Sequence, residues 1–154
     1  MYTAFYGLRE KPFSLTPNPA FLYLSDSHRE ALAHLVYGLE QGEGFIVLAG
    51  EVGTGKTTLC RSLLERIEAD SEIAILFNPS NNDIELLQSI SEEFGLAAEG
   101  RSRRQLVSAL NTFLMDCHSR NRRVVLIVDE AQNLSINTLE QIRLLSNLET
   151  TSSK

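Results

Sequence analysis

The sequence predicts an α/β domain with a parallel sheet and helices on both faces. Three short apolar runs, 45–49, 73–77 and 124–128, alternate with longer segments whose apolar residues recur at helical spacing. Unbroken apolar runs of this length are typical of parallel strands that are buried on both faces. In such sheets ligands bind beyond the carboxyl ends of the strands. The 154 residues correspond to one domain of ordinary size.

Two parts of this domain differ in composition. Residues 1–24 contain three of the four prolines, Pro12, Pro17 and Pro19, interleaved with aromatic residues. Proline favours extended geometry for itself and for the residue before it. We therefore predict an extended aromatic lead-in over 1–24 that lies across a surface, followed by the α/β core over 25–154.

Helix boundaries are marked by capping residues. Ser27–Glu30 is a capping-box pattern for a first helix that ends at Gly42. Asn82–Glu85 begins another helix, which Gly95 ends, and Ser102–Gln105 begins the next. The last predicted helix carries apolar residues three positions apart: Ile136, Leu139, Ile142, Leu145 and Leu148.

A glycine-rich pattern lies between the first apolar run and a helix that we expect to end before Ser71. It has a glycine, four free positions and then Gly-Lys-Thr, the P-loop spacing. Its glycines let backbone N–H groups surround a phosphate, and the following helix adds its N-terminal N–H groups. A glycine-rich turn that binds nothing is the less favoured alternative. The predicted nucleotide-binding residues are Gly50, Glu51, Val52, Gly53, Thr54, Gly55, Lys56, Thr57 and Thr58.

Two adjacent carboxylates follow the third apolar run. Buried charges are costly without a partner, and a divalent cation is one such partner. We therefore predict that Asp129 and Thr57 hold Mg²⁺, while Glu130 orients or deprotonates a water that attacks the γ-phosphate. Lys56 would stabilise the phosphoryl charge, and Asn78 would hydrogen-bond Glu130 until a partner binds. For the two acids alone, the start of a helix is an equally good interpretation.

Composition restricts other functions. A formal charge of −6 argues against broad nucleic-acid binding. The arginine clusters at 101–104 and 120–123 are interpreted as solvated helix ends. Cys60 and Cys117 lack the spacing of a zinc or redox pair, so we expect two reduced thiols. No apolar run approaches the ~20 residues of a membrane span and the start lacks a leader pattern, so we expect a cytoplasmic segment.

Three parts of the chain carry a resemblance to a known family. They are Phe5–Phe13 with Tyr23–Ser25 and His28–Leu32, Gly50–Leu59, and Val128–Leu134 with Gln141–Glu149. These stretches resemble the AAA+ ATPases, and more closely the general secretion pathway protein A family. The resemblance implies ATP and Mg²⁺ as ligands, a homo-oligomeric parent protein and an inner-membrane partner in a bacterial secretion apparatus. It also places the lead-in near the adenine, through Phe13, Pro17 or Tyr23.

The AAA+ core of that family continues beyond this sequence with a further central strand, a fifth strand and a helical lid. We therefore expect a P-loop sheet that is incomplete at its C-terminus, with an exposed strand edge that promotes aggregation. ATP binding is expected of the chain, and hydrolysis of its longer parent. The alternatives are a DNA-associated ATPase of the transposition type and a module that binds ATP without turnover.

Overall fold

The computed structural model describes residues 2–9, 23–67 and 70–147, which divide into two compact units, 1–66 and 67–154. Within these described ranges no helix is long and apolar enough to cross a membrane. The elements, in chain order, are α1 (Tyr2–Phe5), α2 (Asp26–Gln41), α3 (Lys56–Leu64), β1 (Glu72–Leu76), α4 (Asp83–Glu93), α5 (Arg103–Ser119), β2 (Val124–Val128), a 3₁₀ turn (Ala131–Asn133) and α6 (Ile136–Ser146).

The start of the lead-in differs from the prediction. Tyr2–Phe5 forms one helical turn, where an extended segment was expected. The prolines on which that expectation rested all follow residue 10, so they place no restriction on this turn. Pro12, Pro17 and Pro19 lie outside the described residues, as does Phe13.

Helix α2 has the expected kinds of cap, but its N-cap lies two residues earlier than predicted. Ser25 is the N-cap, and its hydroxyl accepts a hydrogen bond from the backbone N–H of His28 at 3.4 Å. The predicted box at Ser27–Glu30 is therefore wrong, because serine or aspartate occupies three consecutive positions here and each can cap. Gly42 ends the helix as predicted, in left-handed geometry with φ of 71°.

The first unit is built on the contact between α2 and α3. Each of these helices contributes two buried leucines: Leu32 and Leu35 from α2, and Leu59 and Leu63 from α3. The apolar face that the sequence predicted for each helix therefore points into the interior of this unit.

The strand predicted for 45–49 is not formed. This segment is irregular, and Phe45 and Val47 are 56% and 87% exposed. A strand needs a hydrogen-bonded neighbour, and among the described residues β1 and β2 pair only with each other. Ile46 instead packs against α2, where a Cβ on Gly38 would lie 2.6 Å from its Cδ1.

The second unit contains the parallel sheet that the sequence predicted. β1 and β2 pair in parallel, with Glu72 opposite Val124 and Leu76 opposite Val128. The first of these strands begins and ends one residue earlier than the predicted run. Full burial on both faces was wrong, because only Ala74 and Leu76 of β1 and Val125 of β2 are buried, while the other residues of both strands are half-buried. A sheet of two strands has too little area to be fully covered.

Helices α4 and α5 begin at the predicted caps. Asn82 accepts hydrogen bonds from the backbone N–H groups of Ile84 and Glu85, but the Glu85 carboxylate bonds the Ser80 hydroxyl and does not complete a capping box. Ser102 completes its box with Gln105, as predicted. The core between these helices and β1 is formed by fully buried side chains: Leu86, Leu87, Ile90, Leu106 and Leu110.

Both cysteines are thiols, as predicted. Cys60 is half-buried, and Cys117 is buried near the end of α5. Burial raises the pKa of the Cys117 thiol, and the negative charges of Glu72 and Asp116 raise it further. Cys117 therefore behaves as a small apolar core residue.

We expect Leu106→Ala to destabilise the second unit by about 2–5 kcal/mol, because it leaves a cavity in a core that excludes solvent completely. Chemical denaturation followed by circular dichroism measures this change. Met115→Ala, on the same helix but at a position that is 67% exposed, is the control and should cost less than about 0.5 kcal/mol. Equal midpoints for the two variants would contradict the core assignment.

Candidate functional site

The loop from Gly50 to Gly55 closes tightly because of its glycines. Gly53 and Gly55 have φ of 83° and 85°, in the left-handed region that other residues enter only with strain. A Cβ on Gly50 would lie 3.0 Å from the Thr54 hydroxyl, so this position also has little room for a side chain. The backbone path is therefore one that this glycine spacing permits.

The Lys56 side chain folds back over the loop. Its ammonium donates hydrogen bonds to the carbonyls of Gly50 at 2.9 Å and Glu51 at 2.8 Å. The Thr54 hydroxyl also donates to the Glu51 carbonyl, at 2.9 Å. The positive charge of Lys56 thus lies against the backbone of the loop.

Helix α3 begins directly after the loop, at Lys56. Its N-cap is Gly55, which has no side chain to accept from the first N–H groups of the helix. Thr57 lies half-buried in this first turn. A positive side chain, closely spaced loop amides and a helix N-terminus without a side-chain cap together fit a phosphate group.

One side chain outside the P-loop pattern also contacts the loop. His28, in the first turn of α2, places Nε2 2.8 Å from the carbonyl oxygen of Thr54. Its other ring nitrogen lies 2.6 Å from the Ser25 hydroxyl. Sequence reasoning missed this contact, because no spacing rule links residues 26 positions apart.

In the second unit, Asp129 and Glu130 follow β2 directly. The Asp129 N–H donates to the carbonyl of Leu76 at 2.9 Å and so continues the strand ladder by one residue. Glu130 leaves the strand in left-handed geometry, with φ of 55°. Its backbone N–H donates to the Asp129 carboxylate at 3.0 Å. The acidic pair therefore turns the chain sharply at the carboxyl end of the strand.

The Glu130 carboxylate is exposed and accepts a hydrogen bond from the side-chain amide of Gln132. Sequence reasoning missed Gln132, although a polar amide two residues after a predicted catalytic acid was a visible signal. The two acids do not begin α6, which starts at Ile136 with Ser135 as its N-cap. Glu130 is the N-cap of the short 3₁₀ turn at Ala131–Asn133, so the alternative in which the acids open a helical element stays open.

Asn78 occupies the matching position after β1. It also has a positive φ, 63°, and the parallel register places it opposite Glu130, two residues beyond the pair Leu76 and Val128. Both side chains belong to the described residues, and no hydrogen bond joins them. The predicted Asn78–Glu130 contact stays a prediction, and Gln132 holds the carboxylate in this structure.

The loop belongs to the first unit and the acidic pair to the second. That they combine into one site also stays a prediction. Within residues 2–9, 23–67 and 70–147, no group of three or more His, Cys, Asp or Glu side chains could hold a metal ion by itself.

Comparison with known proteins identifies the family of this chain. Residues 39–154 match the model of the AAA domain. General secretion pathway protein A of Aeromonas hydrophila is 48% identical over 155 residues, an alignment that includes all of this chain and 28% of that protein. The chain thus spans little more than a quarter of the length of this relative. No solved structure matches the chain. With three quarters of its residues inside the family match, the chain belongs to the AAA domain family.

Proposed function

We propose that this chain binds Mg-ATP through residues 50–58, and that a full-length protein containing it hydrolyses ATP to drive assembly of a bacterial secretion or pilus apparatus. The observation that carries the proposal is the loop itself. Its glycines at 53 and 55 adopt left-handed geometry, and the Lys56 ammonium hydrogen-bonds the Gly50 and Glu51 carbonyls. Helix α3 begins directly after this loop. AAA domains in general are ATPases, and the family match agrees with this reading.

Each proposed role follows from the chemistry of the side chain. Lys56 would exchange its carbonyl partners for the β- and γ-phosphate oxygens, where its positive charge opposes the charge that develops during phosphoryl transfer. Thr57 and Asp129 would hold Mg²⁺, which neutralises phosphate charge when bound. Glu130, an exposed carboxylate just beyond the strand, would orient a water molecule and accept its proton.

The secretion role rests on the similarity to General secretion pathway protein A. We propose that the full-length protein is a homo-oligomer associated with the inner membrane, in which the present segment faces the cytoplasm. A partner protein of the secretion system would then read its nucleotide state. These proposals concern the whole protein, because they rest on similarity to a relative of which this chain aligns with only 28%.

A DNA-associated ATPase is the second candidate, but the charges of this chain weigh against it. Two arginines of the cluster at 120–123 pair with carboxylates of the same chain. Arg122 lies 2.6 Å from Glu72, and Arg120 lies 3.0 Å from Asp116. With a net charge of −6, little positive surface is left to neutralise phosphates. A third candidate, an ATP-binding module without turnover, would have no need of Glu130.

Lys56→Ala should weaken Mg-ATP binding by about tenfold or more, because it removes a charge-assisted contact to the phosphates. Isothermal titration calorimetry on the 154-residue chain measures this loss. Arg66→Ala, which removes one positive charge from the same unit beyond α3, should bind as the unmodified chain does. Equal affinities for the Lys56 and Arg66 variants would show that the loop is not the phosphate site.

Glu130→Gln should leave Mg-ATP affinity within about threefold and lower turnover by about 100-fold or more, because a general base commonly contributes 10²–10⁴ in rate. Phosphate release by a full-length protein carrying this chain is the measurement. Glu99→Gln, an exposed change in the same unit, should leave turnover as it is. Turnover in the Glu130 variant at the unmodified rate would remove this residue from the mechanism.

Replacing Asn78 should change the stimulation of ATP turnover by the partner, if its amide restrains Glu130. Asn78→Ala alone is ambiguous, because left-handed geometry costs alanine about 1 kcal/mol. Asn78→Gly removes the amide and tolerates the positive φ of 63°, so both variants should shift the ratio of stimulated to basal rates. Basal and stimulated rates that stay unchanged in both variants would exclude the switch.

A further inference from the structure

We propose that His28 is a positioning residue that fixes the conformation of the loop at residues 50–55. This inference concerns the loop itself, and only its effect on affinity rests on the proposed nucleotide binding. His28 lies outside the P-loop pattern and contacts the loop by its ring alone, across 26 positions of sequence. All of the residues involved belong to the first unit.

The hydrogen-bond roles of the ring follow from its partners. A carbonyl oxygen only accepts, so the Nε2 atom that lies 2.8 Å from the Thr54 oxygen carries a proton. In a neutral imidazole the other nitrogen then accepts, so the Ser25 hydroxyl, at 2.6 Å from Nδ1, is its donor. Ser25 is also the N-cap of α2. A single chain of hydrogen bonds thus links the start of α2 to the loop.

Holding the Thr54 carbonyl also determines where the next amide points. The peptide between Thr54 and Gly55 is planar and trans, so its C=O and N–H groups point in opposite directions. When the carbonyl faces the His28 ring, the N–H of Gly55 faces away from it. His28 thereby orients one of the loop amides that the P-loop pattern assigns to phosphate binding.

The ring also fills the space beside Gly55. A Cβ at that position would lie 3.5 Å from Nε2, in ordinary contact. Gly55 needs its left-handed φ of 85° to begin α3, and a glycine without restraint samples many other conformations. Because α2 packs on α3, His28 acts from a rigid element. The loop is therefore held in one conformation before any ligand arrives, which lowers the ordering cost of binding.

Two substitutions separate this role from general support of the fold. His28→Phe keeps a ring of similar shape without its nitrogens. His28→Gln keeps an N–H donor at about the reach of Nε2. Both leave the Ser25 hydroxyl in place to cap α2, so the helix itself should stay formed.

Amide hydrogen exchange of the 154-residue chain, without nucleotide, is the primary measurement. We expect His28→Phe to speed exchange in a peptide covering residues 50–58 by about fivefold, the effect of losing one hydrogen bond. We expect His28→Gln to restore the loop to within about twofold of the unmodified chain. Peptides from the middle of α2 should exchange equally in all three proteins.

Loop exchange that is unchanged in His28→Phe would overturn the proposal, and so would a His28→Gln variant no better than His28→Phe. Faster exchange throughout α2 would also overturn it, because that result shows a general effect on the fold. Calorimetry with Mg-ATP then tests function, with affinity expected to fall about fivefold in His28→Phe and to recover in His28→Gln. If the unmodified chain binds no ATP, the proposed function fails while the exchange result still decides the role of His28.

Discussion

Left-handed backbone geometry at four positions is the constraint on which the glycine-rich loop of the first unit and the acidic turn of the second unit each depend. Gly53 and Gly55 use it to close the loop around Lys56, and Asn78 and Glu130 use it to leave β1 and β2. For Glu130 this geometry costs about 1–2 kcal/mol, whereas asparagine, the residue at 78, enters it more readily. Such local strain is concentrated at functional sites, where the surrounding structure compensates for it. Here the parallel strand pair and its continuation by Asp129 supply that support.

The loops after the two strands are also joined to each other. The side-chain oxygen of Asn81 accepts from the N–H of Ser135 at 2.9 Å, and its carbonyl accepts from the hydroxyl of Thr138 at 3.2 Å. Thr138 is completely buried, whereas Asn81 is exposed, so this contact is shielded from water on one side. The segments that carry Asn78 and Glu130 are therefore joined by the hydrogen bonds between Asn81 and the start of α6.

The features that the sequence predicted correctly are those that depend on residues close together in the chain. The helix that begins after the glycine-rich loop, the caps at Asn82 and Ser102, and the two apolar runs that pair as β1 and β2 depend on neighbours within a few residues, and the structure bears them out. The features that sequence reasoning predicted wrongly or missed depend on residues that are distant in the sequence. A strand at 45–49 requires a neighbouring strand that no local pattern can supply, and the contact from His28 to Thr54 joins separate elements. Among several adjacent cap-forming side chains, only the folded chain shows which one caps.

The position of the Lys56 ammonium has a consequence for the energetics of any anion that the loop receives. Two carbonyl oxygens already accept hydrogen bonds from this ammonium, so folding has replaced some of its contacts with water. Arrival of an anion would then be a change of partners, in which the carbonyls give up the charge that the anion gains. The affinity for the anion then reflects the free-energy difference between the ammonium bound to the carbonyls and the ammonium bound to the anion. This difference is smaller than the attraction between the two opposite charges alone.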